Sequence, residues 1–348
     1  MKKLGVSVAI CCHNGERLLP QTLANLKAQT VSGEAAWEVI VVDNASTDRT
    51  DEVARNCWEP GAPAPMRIVR EPRLGLSHAR ARAFEEARYE LVSFVDDDNR
   101  VAPDWVETAS RAMSAEPALG AIGSVNRPVA DGPLPGWFAR YCGHYAAWAY
   151  DESAPPPPKH VLIGAGMTIR KSAWDEMTRN GFRPMAFDRV GNHLSSAGDV
   201  ELGYALMLAG WKFRLERSLR LEHYMSPNRL EWKYCRRLLR AEEESNVVLD
   251  SYFWAAQHGG GLKNRIRQRW WWHFVIESMR LVRTHSIAKL VGACIRDMEG
   301  DDETIEIEKR IGKLIGLARM RSRYSSARRD VAHAAWRRCD SMAAMVDQ

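Results

Sequence analysis

Three consecutive carboxylates, Asp96-Asp97-Asp98, follow the apolar run Val92-Ser-Phe-Val95. Like charges at that spacing repel, and the repulsion is relieved when a hard divalent cation, magnesium or manganese carrying a phosphate, sits among them. Side chains alternate in direction along an extended chain, so Asp96 and Asp98 share one side, Asp97 takes the other, and the working unit is Asp-x-Asp. The competing reading is a solvated acidic turn at a strand end, and context must decide. Two further acids stand where a site would need them: Asp43 ends the apolar run Trp37–Val42, and Asp199 opens the segment Val200–Ala209.

Leu91–Val95 reads as a buried parallel strand, which would deliver its acids to the carboxyl edge where open α/β sheets bind ligands. Strand and helix signals alternate through the first half: strand Val6–Cys12, helix Leu18–Leu26, strand Trp37–Val42, strand Met66–Val69, helix Ser77–Ala87. Ser46 or Thr47 is placed to cap the helix after Asp43, with Asp48 in its first turn. Repeated βα units predict an α/β, doubly wound, mostly parallel sheet. A helix starts at Pro103-Asp104, and Ala121–Val125 reads as a strand. Asp151–Lys159, with Pro155 to Pro158, excludes helix and predicts an extended loop. The small-residue turn Gly164-Ala165-Gly166 leads into the strand Met167–Arg170, and Ser172 caps a short helix. Phe182–His193 is expected to be a mobile loop, Val200–Ala209 a helix stopped by Gly210, and Lys212–Leu215 with Leu219–Leu221 a strand or hairpin. From Leu230 helix dominates, broken at Gly259-Gly-Gly261, so the expected domains are 1–229, with a nucleotide half of about 1–100 and an acceptor half of about 101–229, and a helical region 230–348.

The 348 residues, 45% hydrophobic and 27% charged, suit a globular protein with a sizeable core. The net charge of +5 is unevenly spread: residues 261–348 hold 18 Lys and Arg against 11 Asp and Glu. Such a basic end suits anionic headgroups or a solvated helix face. Seven scattered cysteines with no C-x-x-C pair read as free thiols in a reducing cytosol. The first apolar run is too short for a signal peptide, and no stretch approaches the roughly 20 residues of a membrane span. No nucleic-acid motif is present. Cys11–Gly15 lacks G-x-G-x-x-G, which disfavours a hydride-transfer enzyme; a nucleotide whose diphosphate is held through metal at Asp96 and Asp98 fits better. That is the profile of a nucleotide-sugar site.

The chain resembles the inverting glycosyltransferases of family 2, with the GT-A fold. The motifs that carry the resemblance are Val6-Ser-Val-Ala-Ile-Cys-Cys-His-Asn-Gly-Glu16, Val41-Val-Asp43-Asn-Ala-Ser-Thr-Asp48, Gly75-Leu-Ser-His-Ala-Arg80, Phe94-Val-Asp96-Asp-Asp98, Gly164-Ala-Gly-Met167 and Gly198-Asp199-Val-Glu201-Leu, in the family's order over roughly residues 5–230. The resemblance implies transfer of a sugar from a nucleoside diphosphate donor, a uridine diphosphate sugar first among them, to an acceptor hydroxyl, with Mn2+ or Mg2+ as cofactor and cell-surface polysaccharide or other glycoconjugate synthesis as the setting. Cys12, Glu16 and Asp43 would hold the nucleoside, Arg80 would sit beside it or the phosphates, Asp98 would bind metal, and Asp96, with Asp97 beside it, would contact sugar or ribose. Gly164, Ala165, Gly166 and Met167, with Glu201, would line the sugar and acceptor pocket. Asp199 would be the general base, kept ionised by its helix dipole. His223 would complete the metal site and Arg229 would meet the diphosphate; a purely structural histidine is the alternative.

Departures from the family pattern fall at the donor end. Cys11-Cys12-His13 replaces the usual Pro-Thr-Tyr, Ala81 and Ala83 replace a common asparagine and glycine, and Gly198 replaces the acid that often precedes the base. Trp270-Trp-Trp-His273 lies in a basic setting, which suits either core packing or peripheral contact with the inner face of a membrane, where lipid-linked acceptors of this family reside. Glycan and small-molecule acceptors are equally compatible with the motifs. A non-catalytic nucleotide- or glycan-binding relative and a sugar nucleotidyltransferase are the alternatives.

Overall fold

The computed structural model describes residues 4–32, 35–148, 161–186, 189, 194–255, 269–284 and 298–338. The proline-rich stretch 151–159, the break at 259–261, Cys294, Cys339 and most of 187–193 lie outside them. Eight strands form one sheet: β1 (Val6–Cys12), β2 (Trp37–Asn44), β3 (Met66–Glu71), β4 (Leu91–Phe94), β5 (Asn99–Val101), β6 (Leu119–Val129), β7 (Thr168–Arg170) and β8 (Lys212–Tyr224), in the order β3-β2-β1-β4-β7-β6-β8-β5. The first four are mutually parallel; β7 runs antiparallel to both β4 and β6, and β5 antiparallel to β8.

The apolar runs read as strands do so because both their faces are covered. In β2, Ile40 and Val42 enter one core with Ala9, Phe84 and Ile169, while Val39 and Val41 enter the other with Val8, Ile10, Leu19, Leu23 and Trp105. Helices α1 (Leu19–Lys27), α2 (Thr50–Cys57), α3 (Leu76–Glu86), α4 (Trp105–Ala115), the short α5 (Phe138–Tyr141), α6 (Lys171–Arg179) and α7 (Gly198–Leu208) complete the two-sided α/β layer. The C-terminal region adds α8 (Trp232–Asn246), α9 (Asp250–Ala255), α10 (Trp270–Thr284), α11 (Asp302–Met320) and α12 (Tyr324–Ala332). The five described cysteines, Cys11, Cys12, Cys57, Cys142 and Cys235, are free thiols.

Local details depart from the sequence reading. Helix α2 begins at Thr50, so Ser46 and Thr47 precede it; Asp48 accepts from the Thr50 backbone N–H at 3.0 Å instead of lying in the first turn, which Asp51 and Glu52 occupy. Ser172 is inside α6, its hydroxyl bonded to Glu90 at 2.5 Å, and caps nothing. The two short apolar runs after Gly210 form one thirteen-residue strand, β8, which a break in hydrophobic pattern at Glu216-Arg-Ser218 conceals.

Candidate functional site

The carboxyl ends of β1, β2 and β4 open onto a cleft of about 360 Å³. Its floor is Asp96-Asp97-Asp98, and the three acids are divided as alternation requires. Asp97 turns toward β1, where its Oδ2 accepts from Cys12 Sγ at 3.3 Å. Asp98 turns the other way, toward β8. The antiparallel pairing of Asn99 with His223 sets β8 beside the acids, and the Asn99 amide donates to Asp98 Oδ1 at 3.0 Å while its oxygen accepts from the Asp96 N–H at 2.9 Å. Arg229 Nη1 donates to Asp98 Oδ2 at 2.6 Å, and His223 Nε2 lies 3.3 Å from Oδ1.

Electrostatics separates the acids further. Burial pushes the Asp97 carboxyl up to about 7, with the charge of Asp98 adding to the effect. Asp96 is raised for the same two reasons, opposed by Arg80 and His223. Burial opposes ionisation of Asp98 as well, but His223 and Arg229 outweigh it and hold that carboxyl well below the usual range. Burial also raises the Cys12 thiol, so it is no nucleophile.

Among the described residues no group of three His, Cys, Asp or Glu could hold a metal. The structure instead brings Asp98 Oδ1 and His223 Nε2 to 3.3 Å, a separation at which both could serve one octahedral ion, with Arg229 Nη1 3.2 Å from the same His223 nitrogen. Among the described residues His223 Nδ1 and Arg229 Nε are buried without a hydrogen-bond partner. These residues fit a cation that arrives with phosphate oxygens, and not a closed protein cage.

Asp199 enters from the start of α7. Its Oδ2 accepts from the Gly164 N–H at 2.6 Å and its Oδ1 from Val200 N–H at 2.9 Å. Gly164 leaves room for two side chains: a β-carbon there would lie 2.5 Å from Arg80 Nη2 and 3.0 Å from Asp199 Oδ2, so a larger residue would displace their ends. Arg80 and Asp199 therefore flank one backbone position, and both line the cleft with Gly164, Ala165, His223 and Arg229.

Several expected site residues lie elsewhere. Glu201 is fully buried, accepting from the Met185 and Ala186 N–H groups at 2.8 and 2.9 Å and from Tyr252 Oη at 2.6 Å, so it anchors a loop and α9 rather than lining the pocket. Gly166, at φ +81°, and Met167 turn into the core; a β-carbon at Gly166 would meet Ser124 Oγ at 2.1 Å. Glu16 points outward to the Arg49 N–H at 3.1 Å. Asp43 Oδ1 accepts from Ser46 N–H at 2.9 Å and shapes its own turn; His13 and Asn44 line the cleft there instead. His13, Asn44, Arg189 and the wall formed by His144, Trp148, Glu242 and Asn246 carry no spacing signal that would reveal them, since they converge only through tertiary packing.

The strand order and the acids at the β4 edge define the nucleotide-diphospho-sugar transferase architecture, the GT-A fold. The Glycosyl transferase family 2 model matches residues 7–178. Among curated relatives, an uncharacterized protein, MT1568, of Mycobacterium tuberculosis (strain CDC 1551 / Oshkosh) is 32% identical over 33% of this chain and 34% of its own length. A putative glycosyltransferase EpsH of Bacillus subtilis (strain 168) is 26% identical over 34% and 33%. An undecaprenyl-phosphate 4-deoxy-4-formamido-L-arabinose transferase of Pseudomonas aeruginosa (strain LESB58) is 29% identical over 34% and 35%. The chain thus spans about a third of the length of these relatives. In structure it is similar to the mannosyltransferase PcManGT from Pyrobaculum calidifontis in complex with GDP-Man and Mn2+, with a TM-score of 0.57, 17% identity and coverage of 92% of this chain and 88% of that one.

Proposed function

We propose that the protein transfers a sugar from a nucleoside diphosphate donor, a uridine diphosphate sugar in our reading, to an acceptor hydroxyl with inversion at the anomeric carbon. The observation that carries the proposal is the pairing, in one cleft, of a charge-stabilising cluster, Asp98 with His223 and Arg229, and a carboxylate, Asp199, held against a backbone position by Gly164. Asp98 and His223 would hold Mn2+ or Mg2+ together with the diphosphate, and the metal when bound stabilises the departing negative charge. Arg229 and Arg80 add fixed positive charge on the same side of the cleft. Asp199 would accept the acceptor's proton as its oxygen attacks. One base suffices for a single displacement, which inverts the anomeric centre; a double displacement would need a second carboxylate as nucleophile.

The acceptor proposed is a glycan or lipid-linked glycan in polysaccharide or glycoconjugate synthesis, a setting that the printed names of the relatives favour. No helix of the described residues is long and apolar enough to cross a membrane, and the proposed contact with lipid is peripheral, through α10. The test is release of nucleoside diphosphate from UDP- and GDP-sugars, with and without Mn2+, by the wild type and by Asp98→Ala. We expect metal-dependent turnover that falls at least 100-fold in the variant. Full activity in excess chelator would remove the metal, binding without turnover of any donor would favour a non-catalytic relative, and release of pyrophosphate from a nucleoside triphosphate would favour a nucleotidyltransferase.

A further inference from the structure

Arg229 stands across the two groups that a metal would take. Strand β8 ends at Tyr224, and the chain turns through Ser226 to Leu230 before α8 begins at Trp232. The start of that turn is tied to β6, where the Val129 carbonyl accepts from the Met225 N–H at 2.7 Å, and within it the Arg229 N–H donates to the Ser226 carbonyl at 2.9 Å. The turn returns the guanidinium to the acids, with Arg229 8% and His223 3% exposed. There Nη1 lies 2.6 Å from Asp98 Oδ2 and 3.2 Å from His223 Nε2.

The His223 nitrogen can serve one partner at a time. Nε2 is 3.3 Å from Asp98 Oδ1 and 3.2 Å from Arg229 Nη1. A guanidinium nitrogen only donates, whereas an imidazole nitrogen donates when it carries the ring proton and accepts when it does not. With the proton, Nε2 serves Asp98; without it, Nε2 serves Arg229. Metal coordination needs the same lone pair, so it takes Nε2 from one of these partners whichever nitrogen is protonated. Asp98 is engaged as well, since Arg229 is its ion-pair partner and the Asn99 amide donates to Oδ1 at 3.0 Å.

Charge gives the contest a direction. A divalent cation arriving by itself would meet a guanidinium that keeps its proton at every working pH, in a buried setting where little water screens the repulsion. The one carboxylate that touches Arg229, Asp98, would then be shared between two cations. A diphosphate alters the balance, because its oxygens supply ligands to the metal and negative charge to both cations, and they suit the bidentate geometry of a guanidinium. Arg229 and a metal are therefore rivals without the nucleotide and compatible with it.

Resting on the nucleotide-sugar reading above, we propose that Arg229 is a placeholder cation, which engages Asp98 and His223 until a nucleoside diphosphate arrives and so keeps a divalent metal from binding ahead of the nucleotide. The test is titration of the full chain with Mn2+, followed by calorimetry and by the paramagnetic resonance signal of the free ion, alone and with UDP or GDP present. It compares the wild type with Arg229→Gln, Arg229→Met and Arg229→Lys. We expect nucleotide to tighten Mn2+ binding about 50-fold in the wild type and about fivefold in the two neutral variants, and Mn2+ to tighten nucleotide binding by the same factors, as linkage requires. With Mn2+ alone the neutral variants should bind about tenfold more tightly than the wild type, and Arg229→Lys, which keeps the charge, should match the wild type. The proposal is overturned if the wild type binds Mn2+ alone as tightly as the neutral variants do, or if the lysine variant binds it as tightly as the glutamine one. Should the neutral variants fail to fold by circular dichroism, the wild type decides, and a coupling below about threefold overturns the proposal. Failure of every nucleotide to bind is a separate result: it sinks the transfer activity, while the titrations with Mn2+ alone still judge Arg229.

Discussion

Asp98 accepts from the neighbouring Asn99 amide and from Arg229 and stands beside His223 on β8, whereas Asp199 accepts from the Gly164 and Val200 backbone N–H groups and flanks Gly164 together with Arg80. In the proposed reaction the two acids do different work, one staying charged among cations and one receiving a proton. For Asp199→Asn we expect transfer to fall roughly 100-fold or more, because a positioned base contributes about 10²–10⁴, with donor affinity unchanged since the amide oxygen can still accept from Gly164. A variant with near-normal turnover would reduce Asp199 to a loop anchor. Asp97 makes a prediction about pH. Its carboxyl is held near 7 in the fold against 3.8 for a free side chain. Between those values the unfolded chain has lost the proton and the fold has kept it, so stability in chelator falls as pH rises from about 4 to 7 and levels off above. Asp97→Asn should therefore stabilise the metal-free protein at pH 8.5, by at most about 4 kcal/mol, and by roughly half as much at pH 5.5, as measured by urea unfolding. An equal difference at both pH values would contradict the assignment. The placement of Asp98 and Asp199 in one cleft was legible in the sequence because strand ends and motif order mark them. Glu201 was misread because nothing local distinguishes an acid that faces a pocket from one bonded to two buried backbone N–H groups.

At the scale of elements, α8 and α11 are packed closely enough that side chains are excluded between them. A β-carbon on Gly312 would lie 2.1 Å from the Arg240 carbonyl oxygen, and one on Gly316 2.4 Å from that of Glu244. Buried Glu308 pins the same pair, accepting from Arg236 Nε at 3.1 Å and Arg240 Nε at 2.5 Å. Gly312→Ala gains up to about 1 kcal/mol of helix propensity, yet it must push the helix backbones apart, and overpacking costs about 1–3 kcal/mol. We expect a net loss of stability in urea unfolding. Gly132→Ala, where a β-carbon meets nothing, is the control that should be near neutral. An unchanged Gly312→Ala protein would mean that the helices separate without cost. Strands β1, β2 and β4 were readable from their nearly continuous apolar runs, since burial on both faces leaves few polar positions, Ser7, Glu38 and Ser93 among them. The long β8 was not, because its charged middle, Glu216 to Ser218, pairs neither with β5, which meets only Leu221 to His223, nor with β6, whose register skips from Leu215 to Arg220.

For the molecule as a whole, the open question is what the C-terminal helices face. Helix α10 is fixed to α11 by buried Glu277, which pairs with Arg280 on its own helix at 2.7 Å and with Arg310 at 3.2 Å. Its opposite side carries Trp271, Val275, Met279 and Val282, spaced by four, four and three residues and therefore on one face, with exposures of 45, 44, 50 and 64%. Arg269, Arg280 and Arg283 are exposed along the flank of that stripe. The tryptophan run was ambiguous in sequence because consecutive residues point in three directions on a helix; folding resolves it by leaving Trp270 and Trp272 partly buried and Trp271 out. An apolar stripe beside arginines suits the surface of an anionic bilayer, where each cation adds about 1 kcal/mol and the effect is screened by salt. We therefore expect the protein to sediment with phosphatidylglycerol-containing vesicles and not with phosphatidylcholine alone. Trp271→Ser combined with Val275→Ser should weaken that binding at least tenfold with no loss of thermal stability. Arg280→Gln with Arg283→Gln should weaken it less at high salt than at low. If the serine variant instead lowers the melting temperature and leaves sedimentation unchanged, the stripe is covered by protein, and α10 belongs to the core of the molecule and not to its contact with lipid.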